Sequence, residues 1–169
     1  EKTHVGGSVL FQTLLTGIVN LLFPIVAFSL IARIGRKKLL LPGSAVMGFC
    51  MLVIGWLFYT NRLDYYFVLC TIFVYIAAFA CTWGAVIWVY VAEIFPNKIR
   101  GSATSFATFG NWVSNAIVSF TFPVMLSGLG APLTFMLYGL FNIGMIIFVA
   151  RYVFETKGVS LEKIEELYA

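Results

Sequence analysis

A chain of 169 residues with 61% hydrophobic and only 11% charged side chains, and a mean hydropathy of +0.97, is not a soluble domain, where about a quarter of residues are charged. Its net charge of +4 does not point to nucleic acid, because the basic residues form no solvated stripe and fall between long neutral runs. The composition describes an all-α, polytopic membrane protein held in a lipid bilayer.

Charge-free stretches run over 5–32, 39–61, 65–92 and 101–150. A helix crossing a bilayer needs roughly 20 apolar residues, so the last stretch holds two crossings, divided by the turn sequence Ser127-Gly-Leu-Gly-Ala-Pro132. Five transmembrane helices are expected, at about 8–31, 39–60, 65–92, 101–126 and 132–152, with a tail over 153–169. Ser160 can cap a short helix in that tail, with Leu161, Ile164, Leu167 and Tyr168 along one apolar edge. No cleavable signal peptide is evident, since Glu1-Lys-Thr-His leads straight into a full-length apolar segment.

Basic residues collect on the cytoplasmic side of membrane proteins. Arg33, Arg36, Lys37, Lys38, Lys98, Arg100, Arg151, Lys157 and Lys163 would share one side, against Lys2 and Arg62 on the other. The expected location is the cell membrane, multi-pass, with the C-terminus in the cytoplasm.

In the first helix Gln12, Thr16 and Asn20 repeat every four residues, with Pro24 one turn beyond, a pattern suited to bonding between helices or to facing a polar ligand. The second and third helices contain Cys50, Cys70 and Cys81, whose positions in apolar runs suit small packing residues. The third ends in Trp83-Gly-Ala-Val-Ile-Trp88 and Glu93, followed by a corner with Pro96, Lys98 and Arg100. In the fourth, Thr104, Thr108, Asn111, Asn115 and Ser119 lie on one face, which must meet protein or water, because an unpaired polar group in hydrocarbon costs about 2–7 kcal/mol.

No catalytic chemistry is legible. The spans contain no Asp or Glu apart from Glu93 at a helix end, the only histidine is His4 near the start, and the serines have no histidine partner in the membrane. No enzyme activity, cofactor or metal site is expected.

The stretch Trp83 to Gly101, WGAVIWVYVAEIFPNKIRG, resembles the turn between the tenth and eleventh membrane helices of sugar porters in the major facilitator superfamily, among them proton-linked xylose transporters and facilitative glucose transporters. Gly35-Arg36-Lys37 and Glu155-Thr156-Lys157-Gly158 sit where that family has further signatures, so the resemblance runs from about Gln12 to Leu167. It implies five helices equivalent to helices 8–12 of the twelve-helix fold, with an N-terminal half of the transporter as the partner absent from this chain. It implies a monosaccharide substrate, hexose or pentose, moved by alternating access, and it leaves open whether the transport is symport or facilitated. The alternative is a truncated, non-transporting membrane subunit that pairs with another chain.

The same resemblance assigns residues. Asn20, Trp88, Asn111, Trp112 and Asn115 match sugar-contacting positions. Chemistry agrees: an indole offers a flat apolar face to sugar C–H groups, and an amide both donates and accepts. The other readings are a membrane-interface belt for Trp88 and an interhelical clasp for the asparagines. Arg33, Arg36, Lys37, Glu93 and Arg100 match a cytoplasmic gate, in which Arg33 and Arg36 would reach Glu93, and their other reading is simple positive-side anchoring. Three positions depart from the family: Ala32 replaces an acid of the gate, Ala85 replaces a helix-bending proline and Phe154 replaces the proline of the tail motif. Gly84 is left as the expected hinge.

Overall fold

Five helices follow one another: α1 (Val5–Ile34), α2 (Arg36–Thr60), α3 (Tyr65–Cys81), α4 (Trp83–Ile94) and α5 (Arg100–Tyr152). The computed structural model describes residues 5–62 and 64–158, without the side chains of 5–9 and 11. The expected tail helix around Ser160, together with Lys2, His4 and Lys163, lies outside the described residues.

Helices lie over the five expected spans, with two differences at their boundaries. First, the span expected over 65–92 is broken at Thr82 (φ −120°, ψ −90°), which separates α3 from α4. Second, the turn expected over 127–132 shrinks to one non-helical residue inside α5, Gly130 (φ 79°, ψ 166°), whose positive φ suits glycine. It divides α5 into a first arm (100–129) and a second arm (131–152), each long enough to cross a bilayer.

Local sequence accounts for the other joints. Gly35 (φ 103°) connects α1 to α2 as a single residue. At the far end of α2, Asn61 adopts the left-handed conformation, and Arg62 N donates to Leu57 O at 3.2 Å, closing the helix. Asp64 then starts α3 by accepting from Tyr66 N at 3.0 Å and Phe67 N at 3.4 Å.

Successive crossings run antiparallel, so the end of α1, the start of α2, the end of α4 and both ends of α5 meet at one basic end. The core lies beneath that end and joins Ala27, Ile31, Leu39, Leu40, Ala85, Val86, Tyr90, Val149 and Val153. Away from it, α2 packs on the second arm of α5 through glycines, because lipid gives no hydrophobic drive and close backbone approach must do the holding. A Cβ on Gly55 would lie 3.1 Å from both Met136 N and Pro132 O, and one on Gly48 would lie 3.1 Å from Asn142 Cβ. Aromatic rings close the opposite end: Phe58 stacks on Phe135 at 5.6 Å, and Phe122 of the first arm meets Phe135 edge-on at 6.1 Å. Residues 109–121 of the first arm are exposed throughout.

Gly55→Ala is expected to destabilise the bundle by about 1–3 kcal/mol, because the new methyl meets backbone that cannot step aside. Thermal unfolding in detergent, compared with Gly17→Ala, where a Cβ meets nothing within 4 Å, checks this.

Candidate functional site

The break at Thr82 makes α4 a short half-helix, and it forms without proline. Thr82 N donates to Ala78 O and Phe79 O, both at 3.1 Å, and Thr82 Oγ1 donates to Ala78 O at 2.6 Å, so α3 is finished locally. Ala85 N and Val86 N then both donate to Thr82 O, which starts α4 afresh. The interruption lies at Thr82, while Gly84, the expected hinge, is itself helical.

Trp88 stands midway along α4, 41% exposed. It lines a hollow of about 650 Å³ with Pro24, Phe28, Ala92, Glu93 and Arg100. Asn20 sits one turn before Pro24 on α1, exposed, with Nδ2 donating to Thr16 O at 3.0 Å. A second hollow, of about 840 Å³, runs along α5 and is lined by Asn97, Arg100, Thr104, Thr108 and Trp112. Arg100 belongs to both hollows. It donates from Nε to Phe95 O at 3.3 Å, while its buried Nη2 and the buried Thr104 Oγ1 meet no partner among the described residues.

Asn111 and Asn115 lie further along the same arm, exposed, and outside the lining of both hollows. Asn115 Nδ2 donates to Asn111 O at 2.9 Å, a bond that does not use its side-chain oxygen. The residues expected to meet substrate therefore fall into two groups, Trp88 with the α1 wall and Trp112 with the α5 face, and Arg100 lines both hollows.

At the basic end, Arg36 Nη2 forms an ion pair with Glu93 Oε1. The other carboxylate oxygen accepts from Thr156 Oγ1 at 2.6 Å. Three more of the expected gate residues are engaged elsewhere. Arg33 forms no ion pair with Glu93 among the described residues, and its carbonyl accepts from Lys157 Nζ. Lys37 Nζ donates to Ala150 O at 2.8 Å, and Arg100 turns to Phe95 O as above.

The tail motif completes this end, a role that its sequence did not disclose. Glu155 Oε1 accepts from Arg36 N at 2.9 Å and Lys157 N at 3.2 Å, filling the N-terminus of α2, where Gly35 has no side chain to do so. A Cβ on Gly35 would sit 2.5 Å from Glu155 Oε2, so the glycine also makes room for the carboxylate. Burial pushes the Glu155 carboxyl up, but backbone N–H groups of Arg36, Lys157, Lys38 and Lys37 outweigh it, and the net pKa falls below the ordinary value of 4.5. Tyr90, 8% exposed on α4, accepts from Phe154 N at 3.3 Å and fixes the start of the tail. The expected packing role fits Cys50, which is buried, better than Cys70, which is exposed.

Comparison with known proteins agrees across the chain. The family model described as "Sugar (and other) transporter" matches residues 1–168. The D-xylose-proton symporter of Escherichia coli K12 is 37% identical over 165 residues, covering 94% of this chain and 33% of that protein. The glucose facilitated diffusion protein of Zymomonas mobilis is 35% identical over 165 residues, covering 94% of this chain and 35% of that protein. A solved structure of the xylose transporter XylE from E. coli, described as inward open, superposes with a TM-score of 0.85 at 37% identity, over 95% of this chain and 36% of that one. The chain thus spans about a third of the length of the relatives it matches.

Because Glu155 has a lowered pKa in the folded state, its contribution is complete above the unfolded value and is lost as pH falls through the folded one. Glu155→Gln is expected to lower the melting temperature at pH 7. It should also flatten the fall in melting temperature below about pH 4.5 that the parent shows. Melting curves of both proteins from pH 7 to pH 3 check the difference.

Proposed function

The chain belongs to the sugar transporter family, and from that premise we propose that it forms part of a monosaccharide carrier working by alternating access. Its helices correspond to the eighth to twelfth of a major facilitator fold, and its basic end faces the cytoplasm. The observation that carries this reading is the position of Trp88. Its indole faces a hollow on a half-helix bounded by the Thr82 break and by the Arg36–Glu93 pair. A ring wall beside a charged closure suits a neutral, hydroxyl-rich solute, held by stacking and hydrogen bonds.

In this reading Trp88 and Trp112 offer aromatic faces to the sugar. Asn20, Asn111 and Asn115 bond its hydroxyls, Asn20 and Asn115 contributing side-chain oxygens that their own backbone bonds do not use. Arg36 and Glu93 close the cytoplasmic gate, Arg33, Lys37 and Arg100 surround it with positive charge, and Gly84, just past the break, eases bending. The exposed face over 109–121 supports cover by further transporter segments. Alternating access needs such a second surface, because the site of these folds lies between two halves that rock against each other.

In the complete polypeptide that carries these residues, Asn115→Ala is expected to weaken sugar binding by about 1–3 kcal/mol, the cost of stranding a buried hydroxyl. Trp88→Phe and Asn111→Ala should each weaken it as well. Equilibrium binding of radiolabelled xylose and glucose reads this, and unchanged affinity in all three variants removes the site assignment.

The gate makes a separate prediction. Glu93→Gln leaves Arg36 without its anion and should shift the carrier toward the inward-open state, whereas Ala32→Asp adds an acid beside Arg33 and should shift it the other way. Both shifts should be modest, because ion pairs near water are worth about 0–1 kcal/mol. Labelling of engineered cysteines from each side of the membrane measures them, and movement in the same direction is the result that contradicts the gate.

A further inference from the structure

The half-helix α4 is tied to α2 at both of its ends. At the basic end the tie is Glu93 to Arg36. At the other, Trp83 Nε1 donates to Ser44 Oγ at 2.7 Å. The two helices run antiparallel, with tie points eight positions apart on α2 and ten positions apart on α4, about 12 Å and 15 Å at 1.5 Å per residue. Two ties at that separation fix both the tilt and the axial rotation of α4, and with them the direction of Trp88, which lies midway between Trp83 and Glu93.

The ties differ in chemistry. The Arg36–Glu93 pair is charged and reached by water, with side chains 15% and 26% exposed. Ser44 is 0% exposed and neutral, and its hydroxyl accepts from Trp83 while donating to Leu40 O at 3.0 Å. Directly beside it, Gly43 lets α2 approach the break itself: a Cβ there would lie 2.4 Å from Thr82 Oγ1 and Cγ2. Consecutive residues of α2, Gly43 and Ser44, thus seat the consecutive residues Thr82 and Trp83 at the point where the helix is interrupted.

We infer that Ser44 is a positioning residue: the Ser44–Trp83 bond is the fixed pivot on which α4 turns when the Arg36–Glu93 pair parts, and it holds Trp88 in register with the hollow throughout. The neutral tie is closed to water on its Ser44 side, whereas both partners of the charged tie are reached by water, so the half-helix releases first at its charged end. The inference rests on the transport reading for the purpose of the motion, and on geometry alone for the pivot.

The test uses the complete polypeptide in membrane vesicles, with Ala92→Cys as a reporter in the wall of the Trp88 hollow. A membrane-impermeant thiol reagent is applied at the basic face without sugar, and the parent lacking the reporter corrects for Cys50, Cys70 and Cys81. Ser44→Ala and Trp83→Phe are each expected to raise the labelling rate about threefold to tenfold, the loss of one hydrogen bond. The double variant should label no faster than either single one, because the two residues act through one bond. Unchanged labelling, or increases that multiply in the double variant, overturns the pivot. If Ser44→Ala does not accumulate in the membrane, Trp83→Phe decides alone, since it keeps a ring and removes the N–H. Because labelling is read without sugar, a failure here is distinct from unchanged sugar affinity in the Trp88, Asn111 and Asn115 variants, which tests the transport reading itself.

Discussion

Hydrocarbon contains nothing to accept a hydrogen bond, and that constraint shapes nearly every polar side chain in the five crossings. Thr16, Thr71, Ser105, Thr108, Ser114 and Thr121 each donate to the carbonyl four residues earlier on their own helix. Asn20, Asn115 and Asn142 do the same through their amide nitrogens. Each helix can then stand in lipid without waiting for a neighbour. An asparagine that spends one N–H this way keeps its second N–H and its oxygen, a donor and an acceptor that suit a ligand rich in hydroxyls. Cross-helix bonds become rare, and those that exist, such as Trp83 to Ser44, carry more of the geometry.

Where the helices leave lipid, the demand changes from satisfying side chains to satisfying helix ends. A single residue, Gly35, separates the C-terminus of α1 from the N-terminus of α2, so exposed carbonyls and exposed N–H groups crowd into one place. The tail answers each with the matching charge: Lys157 goes to Arg33 O, and Glu155 to Arg36 N. Glu93 receives Arg36 and Thr156 on its two oxygens. One short segment after α5 therefore ties α1, α2 and α4 together, above the apolar core formed by Ala27, Leu40, Val86 and Val149.

Much of this was open to reading because it follows from patterns within a segment. Charge-free runs and the lengths between them pointed to five helical spans, and the Trp83 to Gly101 motif pointed to the family. What escaped depends on contacts between distant residues. Glu155 lies 119 positions from Arg36, and no periodicity links a tail acid to the N-terminus of the second helix. The break escaped for another reason. With Ala85 in place of proline, the backbone signal for a bend is absent, and the interruption at Thr82 goes with the close seat that Gly43 offers on a neighbouring helix. Among the site residues, shared faces were legible, but the separation of Trp88 from Trp112 into two hollows was not, since it depends on how α4 and the first arm of α5 splay from each other.

Gly130 reverses the last two crossings with one residue out of helical conformation, and the segment around it, Ser127 to Pro132, carries no charge. This bears on how the pair enters the bilayer during synthesis. When two adjoining crossings insert as a hairpin, the tip is the only part that must pass through the hydrocarbon, and each charged group on it would add a cost of about 2.5–3.5 kcal/mol at mid-membrane. Here the tip is small and neutral. The basic residues Lys98, Arg100 and Arg151 lie at the opposite ends of the two arms, away from the tip. The tightness of the reversal is thus a property of assembly as much as of the finished bundle, and it leaves the last crossing free to settle against α2 as a preformed unit.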